Sequence, residues 1–152
     1  MLKVGEKAPS LDGQSSSGTR VSLEALRGKW VVVYFYPKAG TTGCTIETKR
    51  FRDGYDDLKA LGAEVVGVSV DDLKAQCEFS DEHKLAFPLV ADPTKTISKA
   101  YGVVWPLIGL ARRATFIVDP TGIIRAVIHA ELRINQHLDQ VMDFLKAQQK
   151  AQ

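Results

Sequence analysis

The sequence is short of most features that would assign it to a compartment or a partner at first sight. It has only two cysteines, Cys44 and Cys77, in 152 residues, too few for the disulfide framework of a small secreted domain. No apolar run approaches the roughly 18 residues of a membrane-spanning helix. Residues 1–6 carry neither the apolar segment nor the cleavage site of an export signal. Together these absences predict a cytoplasmic chain with no membrane association. An excess of one charge is missing too: the net charge of +2 is spread along the chain without a basic cluster, which excludes an electrostatic surface for nucleic acid or anionic lipid. The three histidines, His83, His129 and His137, have no ligand spacing with one another or with the cysteines. No metal is therefore expected, and each histidine is placed at the surface or on a hairpin.

What is present is the composition of an ordinary globular domain, 45% apolar and 25% charged. A chain of this length buries its own core without staples, so residues 1–152 are read as one domain. The only biased segment, Gly-Gln-Ser-Ser-Ser-Gly at 13–18, reads as the polar loop of an N-terminal hairpin extension. Residues 30–36 form a β-branched and aromatic run, the pattern of a strand buried on both faces, and Pro37 ends it. A helix over 46–61 follows, with Phe51, Tyr55 and Leu58 on one stripe and Gly62 as its stop.

Further along, 63–70 reads as a strand, 72–83 as a helix and 87–90 as a short strand. Asp92-Pro93 opens another helix as cap and first-turn proline. Two apolar runs, 114–118 and 123–128, flank Asp119-Pro120-Thr121-Gly122, a turn that makes them an antiparallel hairpin. A last helix is expected from about Asn135 to about 149. Parallel β/α units followed by a hairpin and a helix predict an α/β fold with a mixed central sheet flanked by helices, in the order of a thioredoxin-like fold. Ligands in such sheets bind at the carboxyl ends of the strands, which selects the loop 37–43.

Cys44 stands where that loop gives way to the helix. Unpaired N–H groups and the positive end of the helix dipole favour a thiolate there. The competing reading, a small buried hydrophobe, is set aside because a position after a Gly- and Thr-rich loop is expected to be polar and partly solvated. Arg113, just before the strand at 114–118, is placed by topology as a cation beside it.

Pro37, Thr41 and Cys44 reproduce the Pro-x-x-x-Thr-x-x-Cys signature, and the chain resembles the peroxiredoxins on that ground. Ala8-Pro9, Val21-Ser22-Leu23, Leu26-Arg27-Gly28-Lys29, Phe87-Pro88-Leu89, Tyr101-Gly102-Val103 and the stretch 113–122 recur in the same order. The likeness is greatest to the bacterioferritin comigratory, or Q-type, branch. It implies that Cys44 is the peroxidatic cysteine and that Thr41 supplies a hydroxyl to peroxide and thiolate. It further implies that Pro37 shields the pocket and Arg113 is the cation. Glu47 resembles a position that holds the active-site hydrogen bonds, its alternative being a solvated acid at a helix start. No cofactor is implied.

Many members of that branch carry a second cysteine five residues after the first, where this chain has Lys49. Cys77 is left as the resolving cysteine or as a core residue. Its neighbours Gln76 and Glu78 are polar, Leu73 and Phe79 are expected to form the apolar stripe, and the resolving role is preferred. The resemblance implies hydroperoxide substrates, recycling by thioredoxin or a similar dithiol, and a monomer or weak homodimer. The alternative is a redox sensor or partner-binding module, which needs a reactive thiol but not Thr41 and Arg113. The apolar connection 105–110 is read either as loop packing or as a pocket wall or self-association patch.

Overall fold

The computed structural model describes residues 1–129 and 136–150. A two-stranded hairpin, β1 (Asp12–Gln14) and β2 (Arg20–Ser22), comes first. The main sheet is built from β3 (Trp30–Phe35), β4 (Ala63–Ser69), β5 (Leu89–Ala91), β6 (Ala114–Val118) and β7 (Ile124–His129), in the order β5-β4-β3-β6-β7. Neighbours β3/β4 and β4/β5 are parallel, while β3/β6 and β6/β7 are antiparallel. The helices are α1 (Thr42–Ala60), α2 (Leu73–His83), α3 (Thr96–Ala100) and α4 (Gln136–Lys150). None of the described helices is long and apolar enough to cross a membrane.

The crossovers β3-α1-β4 and β4-α2-β5 step the same way across the sheet, so their common hand puts α1 and α2 on one face. That face buries Val32, Tyr34, Phe51, Leu58, Phe79, Val141 and Leu145, with α4 beside α1. The opposite face buries Val31, Val33, Phe35, Ile97, Tyr101 and Phe116. The N-terminal hairpin and its flanks join this second core through Leu11, Val21 and Leu23. Alternation along β3 therefore divides its run of apolar residues between two cores.

Two glycines show why the chain needs them. Gly62 ends α1 in the left-handed region, φ 82°, as its role as a stop requires. Gly54 faces α4 across a contact so close that an added Cβ would lie 3.1 Å from Leu138, and this lets α4 lie close against α1.

Most boundaries agree to within a residue, and the larger differences from the expectations are three. Helix α1 begins at Thr42 rather than 46, because Thr41 at its N-cap already turns the backbone from extended to helical. The short strand runs Leu89–Ala91 instead of 87–90. Asp92 does not open a helix with Pro93 at its first turn. Helix α3 starts at Thr96 behind a left-handed Lys95, and the Asp92 carboxylate accepts from the N–H groups of Ile97 (3.1 Å) and Ser98 (2.7 Å) from further upstream. The first residue expected for α4, Asn135, lies outside the described residues.

Candidate active site

The carboxyl end of β3 leads through residues 36–41 into α1, so Cys44 is the third residue of the helix. Register explains what meets it. Phe35 pairs with Ala114, which sets Arg113 beside the end of β3 and on the side of the sheet where α1 lies. From there its Nη2 donates to Cys44 Sγ at 3.5 Å, and its Nη1 donates to Glu47 Oε1 at 3.1 Å. Glu47 lies three residues after Cys44, close to one helical turn, and so on the same face.

This cluster is dry. Cys44 is 0%, Glu47 1% and Arg113 6% exposed. The expectation that Cys44 would be partly solvated is therefore overturned: α1 reaches back past it and packs it among Tyr34, Tyr36 and Phe51. The reading of Glu47 as a solvated acid is overturned as well. Burial works against the charge of Arg113, but the Glu47 carboxylate and the Cys44 sulfur outweigh it and raise its pKa. The guanidinium is held charged against the sulfur.

Thr41, at the N-cap of α1, is exposed, and its hydroxyl donates to the Lys38 carbonyl (2.7 Å). Pro37 is partly buried beside it. The loop is held from the other side by the Ala39 N–H, which donates to Asp71 Oδ2 at 2.8 Å. Lys49 is exposed on α1.

Cys77 is half-buried on α2, and both cysteines are free thiols. The expected face of α2 is wrong in its details. Gln76 is buried and Leu73 exposed, and the buried stripe is Gln76, Phe79, Ser80 and His83. A glutamine can take that place because both ends of its amide are bonded: Oε1 accepts from the Tyr36 hydroxyl and Nε2 donates to the Val90 carbonyl (2.9 Å). Between α2 and the active-site loop runs a groove of about 150 Å³, lined by Ala39, Gly40, Ala75, Glu78, Phe79 and Glu82.

His137 is the residue that reading the sequence missed. Expected at the surface, it is 0% exposed on α4. Its Nδ1 lies 2.7 Å from Thr115 Oγ1 and 3.5 Å from Glu47 Oε2. The signal was its spacing, four before Val141 and eight before Leu145, within the buried stripe of its helix. His83 is also buried, against Phe79. Among the described residues, no group of three or more His, Cys, Asp or Glu could hold a metal ion.

The connection 105–110 folds on itself through the Trp105 N–H to Leu110 carbonyl bond (2.8 Å), with the Arg112 guanidinium 3.9 Å from the Trp105 ring centre. Leu107 and Ile108 are left exposed.

A buried thiol held by a charged arginine, at the start of a helix on the central strand of this sheet, now has relatives to be set beside. The family model described as AhpC/TSA matches residues 4–127. The chain belongs to the AhpC/TSA family. Within that family it is similar to the chloroplastic peroxiredoxin Q of Suaeda salsa, 37% identical over 147 residues, covering 96% of this chain and 69% of that protein. It is also similar to the putative peroxiredoxin bcp of Coxiella burnetii, 35% identical, covering 93% of this chain and 97% of that one. Among solved structures, peroxidoxin BcpB of Mycobacterium tuberculosis superimposes with a TM-score of 0.90 at 31% identity, covering 97% and 98% of the two chains. The bacterioferritin comigratory protein of Xanthomonas campestris, described for its alkyl peroxide reduction activity, does so with a TM-score of 0.84 at 33% identity, covering 91% of each. The AhpC/TSA chain has a thioredoxin-type peroxiredoxin fold, and it is a thiol-dependent peroxidase.

Proposed function

We propose that Cys44 is the peroxidatic cysteine and that hydrogen peroxide and organic hydroperoxides are its substrates. The supporting observation is the 3.5 Å approach of Arg113 Nη2 to Cys44 Sγ, with Glu47 on the same guanidinium. A thiolate there attacks the terminal peroxide oxygen. The S–O bond forms as the O–O bond breaks, the leaving oxygen takes a proton to become water or alcohol, and the sulfur becomes a sulfenic acid. Charge moves from sulfur to the leaving oxygen, so a fixed cation and the Thr41 hydroxyl stabilise the transition state more than the ground state. Because Cys44 is closed to water, the peroxide enters by displacement of the loop 37–41, with Pro37 closing over it.

Cys77 then attacks the sulfenic acid, releasing water and leaving a Cys44–Cys77 disulfide, which thioredoxin or a similar dithiol reduces at the expense of its own oxidation. Support for this step comes from the placement of the active-site loop against α2 across the groove described above. The bond needs the two Cα atoms within about 7 Å, so α1 or α2 unwinds to make it. We take the whole chain as one peroxidase domain acting in a reducing cytoplasm, as a monomer or weak homodimer.

The test is peroxide consumption with thioredoxin, its reductase and NADPH. Cys44→Ser is expected to abolish turnover, because a hydroxyl is a far weaker nucleophile than a thiolate. A Cys44→Ser protein with wild-type rate would refute the assignment.

A further inference from the structure

We infer that His137 is a positioning residue that keeps Glu47 from taking the whole of Arg113, and so leaves one guanidinium arm for the Cys44 sulfur. The inference rests on the peroxidase reading of Cys44 and extends the site to α4, which the sequence motif does not reach.

A carboxylate beside a guanidinium prefers the two-armed arrangement, with both oxygens on two N–H groups. Glu47 does not adopt it. Only Oε1 is on Arg113, through Nη1, while Nη2 is directed at Cys44. The other oxygen, Oε2, faces His137 Nδ1 at 3.5 Å, an electrostatic contact rather than a formed hydrogen bond. An imidazole lone pair aimed at a carboxylate oxygen would be repelled, so Nδ1 carries the hydrogen and presents it between Glu47 Oε2 and Thr115 Oγ1, 2.7 Å away. Thr115 fixes the ring in turn. It sits on β6 opposite Tyr34 and Ile128, among residues that cannot shift without disturbing the sheet. The ring is wholly buried and α4 is drawn tightly onto α1 at Gly54, so the donor is held by the fold rather than by its own flexibility.

The consequence is specific. With a side chain at 137 that offers no donor in the Nδ1 position, Glu47 closes onto both arms of Arg113, and Nη2 leaves the sulfur. His137→Leu should then slow both alkylation of Cys44 by iodoacetamide and its stopped-flow oxidation by hydrogen peroxide by about ten- to a hundredfold, the scale of a small misplacement at a reacting centre.

His137→Asn, whose Nδ2 stands where Nδ1 does, should restore the rates to within a few fold. His137→Gln, whose amide reaches the Nε2 position instead, should resemble Leu. In a Glu47→Gln background the His137→Leu change should add little, because the two residues act through one contact. Equal behaviour of the Asn and Gln variants, or the same loss in both backgrounds, would overturn the inference. The Asn and Gln pair keeps the test available should the Leu variant fail to fold. Alkylation is read without peroxide, so a wild type that alkylates fast but consumes no peroxide would fault the peroxidase reading alone.

Discussion

Arg113 Nη2 lies 3.5 Å from Cys44 Sγ, and both residues are withdrawn from solvent. In water a cation at that distance contributes little. In a dry site the same charge acts through a lower effective dielectric and needs no rearrangement of solvent when the sulfur reacts. Burial of Cys44 is therefore not the mark of an inert thiol here, because a charged partner is buried with it. Glu47 is the counterweight that allows the guanidinium to stay charged there.

Arg113→Lys should keep the charge and lose the fork, since an ammonium cannot hold Glu47 and Cys44 in the same fixed geometry. Stopped-flow oxidation of Cys44 by hydrogen peroxide is expected to slow by about 10²-fold. Arg113→Ala should in addition destabilise the fold, by about 3–5 kcal/mol in urea unfolding, because the Glu47 charge is left buried without it. Equal unfolding midpoints for the Lys and Ala variants would contradict the account of Glu47.

At Thr41 rate and stability should separate. Its hydroxyl makes no capping bond to α1, so Thr41→Val should shift the thermal midpoint little. The oxidation rate should nevertheless fall about 10²-fold if that hydroxyl serves the peroxide in the transition state. A variant that oxidises at wild-type rate would remove Thr41 from the mechanism and favour a redox sensor.

Cys77→Ser should reduce one equivalent of peroxide, stall in turnover with thioredoxin, and drift to sulfinic acid under excess oxidant. Normal cycling of that variant would return Cys77 to a structural role. Gln76 offers a second handle. Replacing it by Leu removes the buried amide acceptor of the Tyr36 hydroxyl and leaves it Ser69 alone, which penalises the packed state by about 1 kcal/mol or somewhat more. Disulfide formation, followed by mass spectrometry after peroxide addition, should then quicken about tenfold in Gln76→Leu.

Acid should act through the β6-β7 turn. Although burial opposes it, hydrogen bonds from Thr121, Ile123 and Arg125 hold Asp119 down to about 2, against an ordinary value of 3.8. A lowered carboxylate contributes stability above the unfolded value and loses it as pH falls towards the folded one. Allowing for the half-exposed Arg125, Asp119→Asn should cost on the order of 1–2 kcal/mol at neutral pH and almost nothing near pH 2. Urea unfolding at the two pH values checks this, and a cost independent of pH would refute it.

The sheet and most helices are legible because β3 is a continuous apolar run, β4 and β6 are rich in β-branched residues, and Gly62 and the Asp119 turn punctuate them. The first turn of α1 is hidden in the sequence because Thr42 and Gly43 are poor helix formers that an N-terminal turn accepts anyway. Arg113 was legible through topology, since a strand antiparallel to β3 must return beside its end. His137 and Gln76 were not, because a polar residue in a buried stripe looks like a break in the pattern until its partners are known. For His137 those partners are Thr115 and Glu47, far away in the chain, and for Gln76 they are Tyr36 and Val90. The exposure of Leu107 and Ile108 was equally hidden, because hydrophobicity alone does not say which side of a loop faces water.

The contact between Arg113 and Cys44 spans 69 residues of sequence, and this has a consequence during synthesis. At ribosomal speeds of about 5–20 residues per second, the nascent chain carries Cys44 for roughly 3–14 s before Arg113 has been joined to it. Throughout that interval the thiol lacks its guanidinium and has the reactivity of an ordinary cysteine, so an unfinished chain is spared the oxidation that the finished one invites.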